Sequence, residues 1–364
     1  MDNKESVSRP GSSVPALDPD GPPLVVRGLS VTFSTSGGPL KAVRGVDLTV
    51  ERGECLGVVG ESGSGKSVTA AAAMGLLGRD VVVEGEILLN GRNLLSMERE
   101  EVRSLRGRVI SMIFQEPGRS FDPIYNMGKT FEETFRAKNP SISRDEARSR
   151  AVQLLREVHV PQAEERLSSF PHQLSGGLLQ RVMIALALAN DPEILIADEP
   201  TTALDVTIQA QIVGLLAELQ KKRRLSLIFI THDLGLVGQI ADRIQVMYAG
   251  LVLETGEAAE VFRRPLSPYT RSLLLALPTW GSHHSRNSLF TIKGSVPDPT
   301  HAEPGCPFAP RCYLAVDDCA RAVPALSSDA RSVVTGEAEV GAAGSTGAKA
   351  FPSLYRCIFP GVKE

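Results

Sequence analysis

A short run near the start of the chain combines glycine, serine and lysine in the order Gly60, Glu61, Ser62, Gly63, Ser64, Gly65, Lys66, Ser67. Glycines let consecutive backbone N–H groups converge on an anion, and a lysine can reach the β- and γ-phosphates of a nucleotide. The hydroxyl of Ser67 can complete a Mg²⁺ shell. A glycine-rich turn with a chance lysine is the alternative. The run predicts a phosphate loop that binds ATP and Mg²⁺ through all eight residues.

Two carboxylates follow an apolar segment, Ile194–Ala197, in the middle of the chain. A buried strand there would deliver Asp198 and Glu199 at its carboxyl end, the edge where open parallel sheets bind ligands. Asp198 would hold Mg²⁺ and Glu199 would polarise the attacking water. The alternative is an acidic pair that caps a helix beside Pro200.

Ser175, Gly176 and Gly177 follow Leu174 and precede an apolar segment, residues 178–189, that is predicted to be helical. A hydroxyl and open backbone N–H groups at a helix N-terminus make a second anion site. A chain with one phosphate loop needs this second site only if it serves the nucleotide of another molecule. The motif therefore predicts that the second anion site serves the nucleotide of another molecule.

These residues must be positioned by strands and helices that alternate. Apolar strands are predicted at residues 24–26, 30–33, 46–50, 55–59, 194–197 and 225–230. A helix is predicted from Lys66 to about Leu77, where Gly78 offers a stop, and another over residues 207–223. Continuous apolar strands that alternate with helices indicate an α/β fold with a parallel sheet covered on both faces.

Composition divides the chain into three parts. Residues 1–23 are rich in Ser and Pro, which predicts a disordered leader. Residues 24–260 are predicted to form the ATPase domain, in which residues 96–170 make a helical insertion. Residues 261–364 form a C-terminal extension, with a poorly ordered loop over residues 325–350. In the insertion, one helical face is predicted to carry Ala147, Ala151, Leu154, Leu155 and Val158.

The 364 residues, 42% of them apolar, suffice for about two globular domains. Basic and acidic residues, 39 and 42, nearly cancel to a net charge of −3, which argues against nucleic acid as a partner. No apolar stretch approaches the roughly 18 residues of a membrane span, and the N-terminus does not resemble a secretory signal. We therefore expect a cytoplasmic protein.

Together with His232, which follows the strand at 225–230, these motifs resemble the ATPase subunit of an ABC transporter. The resemblance runs from Leu24 to about Gly256. It implies a P-loop NTPase (RecA-like) core with a β subdomain, a helical insertion and a small Cys-containing C-terminal extension. It also implies that two subunits sandwich two ATP molecules head to tail. Residues Ser175–Gly177 of one subunit would then cap the γ-phosphate held by the other.

Further roles come from the same resemblance. Gln115 would touch Mg²⁺ and the water and link to the membrane subunits, and His232 would contact the γ-phosphate, so that both join Glu199 and Lys66 as catalytic residues. Phe33 would stack on adenine, although a core aromatic is the alternative. Asp205 would contact the partner subunit, although a helix N-cap is the alternative. Leu178 and Leu179 depart from the polar or basic residues of many relatives, which hints at unequal composite sites.

Four of the five cysteines, Cys306, Cys312, Cys319 and Cys357, lie near the end of the chain. In a reducing compartment this clustering favours a metal over disulfides, although the spacing alone does not say which. Cys55, inside an apolar strand, is predicted to be a small core residue.

Segments 262–274 and 305–312 resemble the C-terminal extension of oligopeptide and dipeptide importer ATPases. In that branch four cysteines can hold a [4Fe–4S] cluster, with zinc or unligated thiols as alternatives. Ser267 and Tyr313 replace the usual His and Pro. We expect such a cluster to be structural, so that its loss unfolds the tail and leaves the phosphate loop unaffected.

The resemblance implies an ATP-hydrolysing subunit that powers an importer of oligopeptides or dipeptides from the cytoplasmic face of the inner membrane. Its partners would be two permease subunits, a second, non-identical ATPase subunit and an extracytoplasmic substrate-binding protein, with no nucleic acid. One alternative is the same machine importing nickel or another small solute. The other is a soluble ABC ATPase acting on nucleic acid, which the single cassette and negative net charge disfavour.

Overall fold

The computed structural model describes residues 21–202, 204–277, 290–298, 300, 304–327 and 353–357. Most of the predicted leader and of the loop at 325–350 therefore lies outside the described residues. The described strands are β1 Leu24–Thr35, β2 Gly38–Val50, β3 Cys55–Val59, β4 Val82–Leu89, β5 Arg92–Asn93, β6 Ile110–Ile113, β7 Ile194–Asp198, β8 Ser226–Thr231, β9 Arg243–Tyr248, β10 Leu251–Glu257 and β11 Leu354–Tyr355.

Eleven α-helices accompany these strands in the described part of the chain. They are α1 Lys66–Ala73, α2 Arg99–Leu105, α3 Pro117–Ser120, α4 Met127–Arg136, α5 Arg144–Glu157, α6 Ala163–Arg166, α7 Gly176–Ala187, α8 Val206–Arg223, α9 Leu234–Val237, α10 Ala258–Arg263 and α11 Pro268–Leu275. Short 3₁₀ turns lie at Leu94–Ser96, Pro171–Gln173, Ala309–Arg311 and Asp317–Ala320.

The central sheet has seven strands in the order β11-β10-β9-β3-β8-β7-β6. Strands β6, β7, β8, β3 and β9 pair in parallel, whereas β10 and β11 add an antiparallel edge. Every residue of β3, β7 and β8 is buried, as expected for strands covered on both faces. The predicted α/β fold with a parallel core is confirmed, and the antiparallel edge makes the sheet mixed.

A second, antiparallel sheet has the order β2-β1-β4-β5 and forms the β subdomain. The strands predicted at 24–26 and 30–33 are one continuous strand, β1. Its pairing with β2 shifts register between Val26 and Leu29, where Gly28 has a φ of 56°. A bulge at a left-handed glycine interrupts the apolar pattern without ending the strand, which explains why the sequence reads as two strands.

Helix α1 ends earlier than predicted. It begins at Lys66 as expected, but its last helical residue is Ala73, and Gly75 rather than Gly78 leaves the helical conformation with a φ of 61°. A Cβ at Gly75 would lie 2.7 Å from Val102 Cγ1. The chain thus turns where both the left-handed backbone and the close neighbour require glycine.

The prediction that residues 96–170 form a helical insertion is wrong in one respect. Ile110–Ile113 form β6, the edge strand of the central sheet, and pair in parallel with β7. Four residues are too few to show a strand period, and their partner is far away in sequence. Helix α5 is confirmed: Ser143 caps it by accepting from Glu146 N, and the five predicted core residues are buried.

The C-terminal extension packs directly on the central sheet. Leu354 and Tyr355 pair with Thr255 and Glu254 of β10. The fully buried carboxylate of Glu254 accepts hydrogen bonds from Leu266 N at 2.8 Å and Ser267 N at 3.0 Å just before α11, and its burial raises the pKa of this carboxyl. The extension is therefore tied to the sheet that carries the phosphate loop.

Across the described residues, no helix is long and apolar enough to cross a membrane.

Candidate functional site

The glycine-rich run forms the loop between β3 and α1, as its spacing predicts. Gly60 has a φ of 155°, and a Cβ there would lie 2.1 Å from the carbonyl oxygen of Met247. Gly65 has a φ of 98°, and a Cβ there would lie 2.7 Å from Ala42 O. Both glycines are required because neighbouring backbone leaves no room for a side chain. The loop is held against β2 and β9 at the carboxyl edge of the sheet.

Lys66 is buried at the start of α1, with its ammonium inside the loop. Its Nζ donates to Gly60 O at 2.8 Å, Glu61 O at 2.9 Å and Ser64 Oγ at 3.2 Å. Burial lowers the pKa of Lys66, while the nearby carboxylates of Glu199, Asp198 and Glu61 oppose that shift. The ammonium thus occupies the cradle in which an anionic phosphate would replace the loop's own acceptors.

Ser67 and Asp198 meet across the loop. Ser67 Oγ donates to Asp198 Oδ1 at 2.9 Å. Burial raises the pKa of Asp198, and the hydrogen bond from Ser67 works in the opposite direction. A hydroxyl and a carboxylate in contact are oxygen donors of the kind that Mg²⁺ prefers, so the residues present fit this ion.

Glu199 lies at the centre of a hydrogen-bonded group. Its Oε2 accepts from Gln115 Nε2 at 3.0 Å and from Thr202 Oγ1 at 2.8 Å, and its Oε1 lies 3.4 Å from His232 Nδ1. The side chain of Glu199 is 15% exposed, whereas that of His232 is 61% exposed. Gln115, Glu199 and His232, singled out in three separate segments of the sequence, come together here.

The backbone of Glu199 is strained. Its φ of 46° is left-handed, which is uncommon for a residue other than glycine. The conformation is held because Glu199 N donates to Ile230 O of β8 at 2.9 Å. Strain of this kind turns the carboxylate out of the line of β7 toward Gln115 and His232.

Thr202 was not predicted from the sequence as part of the site. It contributes a single hydroxyl near the carboxylates, and no motif marks it.

Ser175 and Asp205 both cap helices. Ser175 Oγ accepts from Leu178 N at 3.4 Å at the start of α7, and Asp205 Oδ1 accepts from Ile208 N at 3.0 Å at the start of α8. The helix starts pack together, since a Cβ at Gly177 would lie 3.0 Å from Ile208 Cγ2. Ser175, Gly176 and Asp205 are exposed. The capping alternative for Asp205 is therefore realised, and the exposed surface remains open to a partner.

Comparison with known proteins identifies the family. Residues 43–202 match the family model "ABC transporter", and residues 253–319 match "Oligopeptide/dipeptide transporter, C-terminal region". The dipeptide transport ATP-binding protein DppD of Lactococcus lactis is 49% identical over 294 residues, 80% of this chain and 84% of that protein. This chain belongs to the ABC transporter ATPases. Within them it carries the C-terminal region of the oligopeptide/dipeptide branch.

Other relatives agree. The oligopeptide transport ATP-binding protein OppD of Bacillus subtilis is 48% identical over 295 residues, 80% of this chain and 82% of that protein. The dimeric structure of a bacterial ABC transporter cassette is similar with a TM-score of 0.59 at 28% identity, covering 65% of this chain and 98% of that one. The predicted ABC ATPase fold is confirmed.

The two leucines that depart from the ABC pattern have a packing role. Leu179 is buried in the main core cluster, and Leu178 packs against that cluster. Apolar side chains therefore suit these positions of α7, because they pack in the core.

Phe33 is half-buried and packs against the core of the β subdomain. This position is compatible with stacking on adenine and with the alternative of a core aromatic.

The tail cysteines of this ABC ATPase do not form a metal centre in the structure. Cys306 N donates to Cys319 O at 2.8 Å, and Cys312 Sγ accepts from Leu314 N at 3.4 Å. All four lie in the described part of the chain, which holds no group of three or more His, Cys, Asp or Glu side chains placed to bind a metal. The predicted [4Fe–4S] site is not supported. Cysteine types and spacing do not fix where the thiols point.

Cys55 is buried in β3, and burial raises the pKa of its thiol, as expected for the predicted core residue.

The tail is not independent of the phosphate loop, contrary to the expectation from sequence. Tyr269 of α11 accepts a hydrogen bond from Glu61 N at 3.0 Å, and Arg311 forms an ion pair with the Glu61 carboxylate at 2.9 Å. Neither contact was predicted from the sequence, because the two residues of each pair are more than 200 positions apart. No local pattern indicates such a pairing.

Proposed function

We propose that this chain is the ATP-hydrolysing, nucleotide-binding subunit that powers an ABC importer of oligopeptides or dipeptides. The observation that carries the proposal is the Glu199 carboxylate, held by Gln115, Thr202 and His232 one residue beyond the carboxylate that contacts Ser67. A carboxylate so placed can act on water beside a phosphate cradle. The peptide cargo is supported by the C-terminal region and by the relatives' names.

In this proposal, Lys66 exchanges the carbonyls of Gly60 and Glu61 for the phosphates of ATP. Backbone N–H groups of the loop other than that of Glu61, which donates to Tyr269, bind the same phosphates together with the N-terminus of α1. Ser67 and Asp198 would hold Mg²⁺, which would supply charge neutralisation to the bound phosphates. These groups position the nucleotide and stabilise charge, which accounts for most of the catalysis of phosphoryl transfer.

Glu199 orients the attacking water and accepts its proton, and Gln115 and His232 fix the direction of the carboxylate. The exposed face of His232 is free to contact the γ-phosphate. Gln115 would also contact Mg²⁺ and the water. Phe33 stacks on adenine at the edge of the β subdomain, where its ring is half-buried and the next two residues of β1, Ser34 and Thr35, are exposed.

The composite site needs a second ATPase subunit. Ser175, Gly176 and Gly177 cap the γ-phosphate held by that subunit, and Asp205 contacts it. Support comes from the exposure of Ser175 and Gly176 at the start of the twelve-residue helix α7, and of Asp205 at the start of α8. We propose that the second subunit is a non-identical ATPase, although the packing of Leu178 and Leu179 removes them as an argument for unequal sites.

The permeases dock beside Gln115. Phe114, which precedes Gln115, and Ile124 and Tyr125, which follow it along the chain, are exposed large apolar side chains. An apolar patch next to a residue of the catalytic group suits a partner that must sense the state of the nucleotide. Two permease subunits at the cytoplasmic face of the inner membrane, supplied by an extracytoplasmic substrate-binding protein, complete the proposed machine.

Reconstitution tests this function. Permeases purified with this chain and a second ATPase, placed in proteoliposomes with the substrate-binding protein, should accumulate labelled dipeptide or oligopeptide only with ATP. Omitting this chain should abolish uptake. Undiminished uptake without it, or uptake of nickel and no peptide, would contradict the proposal. Two copies of this chain and no second ATPase in the active complex would contradict the non-identical pairing alone.

An iron–sulfur cluster on the tail is a separate proposal. Four thiols match the ligand count of [4Fe–4S]. Burial raises the pKa of the Cys306 thiol first, and the Cys319 and Cys312 thiols raise it further, so these three groups interact. The thiols would have to turn toward one another for ligation, and no step of ATP hydrolysis depends on it.

Metal analysis decides the matter. Protein purified without oxygen should contain about four iron and four sulfide per chain. Joint replacement Cys306→Ser and Cys357→Ser should remove the iron, whereas Cys55→Ser, in the core strand, should not. Zinc without iron, or full iron in the double variant, would overturn the cluster.

A further inference from the structure

A tail arginine reaches the phosphate loop. Arg311 Nη1 donates to Glu61 Oε1 at 2.9 Å, to Glu61 Oε2 at 3.0 Å and to the hydroxyl of Tyr248 at 3.1 Å. Its Nε donates to Lys293 O at 3.0 Å, within the same tail. The side chain of Arg311 is 6% exposed and that of Glu61 is 27% exposed. A charge-assisted contact this well buried is stronger than a surface ion pair.

Every polar group of Glu61 is engaged. Its N–H donates to the hydroxyl of Tyr269, its carbonyl accepts from Lys66 Nζ, and its carboxylate accepts from Arg311. Two of these three partners belong to the C-terminal extension. The second residue of the phosphate loop is therefore positioned by the extension as well as by the ATPase core.

Three buried rings hold the two tail partners in place. Tyr248 of β9 lies 4.7 Å from Tyr269 and 5.4 Å from Phe308 between ring centroids, and Tyr269 lies 5.1 Å from Phe308. Phe308 precedes Arg311 by one 3₁₀ turn, Ala309–Arg311. Aromatic packing of this kind fixes the tail against β9, so Arg311 reaches Glu61 without a large further loss of side-chain freedom.

The negative charge of Glu61 is the reason that its contact with Arg311 matters for nucleotide binding. Its carboxylate is close enough to Lys66 to favour the charged ammonium, and it belongs to the loop in which the phosphates of ATP must bind. An unpaired carboxylate there would repel the polyphosphate across a partly desolvated site. Arg311 neutralises that carboxylate.

We propose that the C-terminal extension is part of the nucleotide site, with Arg311 as a positioning residue. Arg311 neutralises Glu61 and, together with Tyr269, fixes the phosphate loop in the shape that accepts the phosphates of ATP. The inference rests on the proposed binding of ATP at this loop. It assigns the extension a role in nucleotide affinity that neither the peptide cargo nor a metal in the tail requires.

Nucleotide titration of the full chain tests the proposal. Arg311→Ala should raise the Kd of ATP about tenfold, the scale expected for one unneutralised charge at a partly buried site. The Kd of ADP should rise less, because ADP carries less charge. Arg311→Lys should retain part of the affinity. Adding salt should shrink the loss, since ions screen the repulsion from Glu61.

A second substitution separates charge from folding. The double variant Arg311→Ala, Glu61→Gln should recover most of the ATP affinity, because it removes both members of the pair. Arg356→Ala is the matched control: Arg356 is another tail arginine, half-buried, but it donates to Val252 O and Pro324 O. Its loss disturbs the tail without exposing a carboxylate in the loop, so the Kd of ATP should stay unchanged.

Wild-type affinity in Arg311→Ala would overturn the inference, and so would an equal loss in Arg356→Ala or no recovery in the double variant. If Arg311→Ala does not fold, the comparison of Arg311→Lys with wild type for ATP and ADP decides in its place. Failure of the wild-type chain to bind ATP, or normal binding in Lys66→Ala, would instead contradict the proposed function.

Discussion

Replacing Glu199 with glutamine should leave ATP binding intact and lower ATP hydrolysis by roughly 10²- to 10⁴-fold, the usual contribution of a general base. Glutamine keeps the shape of the side chain and can still accept the bonds from Gln115 and Thr202. It cannot take a proton from water. Because Lys66, Ser67 and the loop glycines are untouched, the phosphate cradle should bind ATP as before.

Equilibrium binding and steady-state hydrolysis, both in the assembled complex, separate these effects. Glu193→Gln is the matched control, because Glu193 precedes the same strand at its opposite end and pairs with Arg52 on the surface. That variant should hydrolyse ATP at the wild-type rate. Turnover of Glu199→Gln within about twofold of wild type would remove Glu199 as the base, since a general base contributes far more than this.

Thr202 helps to fix the direction of the Glu199 carboxylate, so the contribution of Glu199 to hydrolysis depends on where its carboxylate points as well as on its charge. Its hydroxyl and the amide of Gln115 both donate to the same oxygen of a residue whose φ is left-handed. A carboxylate held by two donors on a strained backbone has one direction available. The catalytic group is therefore built from three segments that meet only when β6, β7 and β8 lie side by side in the sheet.

The sequence revealed the parts of this site that depend on local pattern. The phosphate loop and the carboxylates Asp198 and Glu199 lie at the ends of apolar segments, and the motif at Ser175 precedes one, so that period and turn residues are informative there. What could not be predicted depends on contacts between distant residues. Strand β6 has four residues and is defined by pairing with β7, and Arg311 pairs with Glu61 across 250 positions.

The arrangement of the tail cysteines could not be predicted from the sequence either. Their number and residue type suggest a metal, and the family resemblance suggests iron. Ligation requires that the thiols converge, which depends on how two tail segments pack on the sheet. Cys357 follows β11, which is held by β10, whereas Cys306 is held by the backbone of Cys319. Residue types alone do not contain that information.

Lys66→Ala should weaken ATP binding by roughly tenfold to a hundredfold, because charge-assisted hydrogen bonds contribute about 1.5–3 kcal/mol each. The ammonium is already inside the cradle, bonded to Gly60, Glu61 and Ser64. Its loss therefore removes a preorganised cation rather than a mobile surface charge. Hydrolysis should fall with binding and recover in part at high ATP concentration, unlike in Glu199→Gln.

The same lysine makes binding sensitive to alkaline pH. Burial lowers the pKa of Lys66. In the proposed function, the anionic phosphates of ATP bind to the charged ammonium. Affinity should therefore be full below that lowered pKa and fall as the pH rises through it, at lower pH than an ordinary lysine would give. Titration of ATP at increasing pH measures this decline.

Two variants test whether the titration of Lys66 causes the fall in ATP affinity at alkaline pH. In Lys66→Ala the alkaline fall in affinity should disappear, since no ammonium remains to be lost. In Lys138→Ala it should persist, because Lys138 also has a pKa lowered by burial but lies just beyond α4, where it donates to Asn190 O. A fall that survives in Lys66→Ala would show that another group titrates. Lys66 would then not be the cation that binds the phosphates.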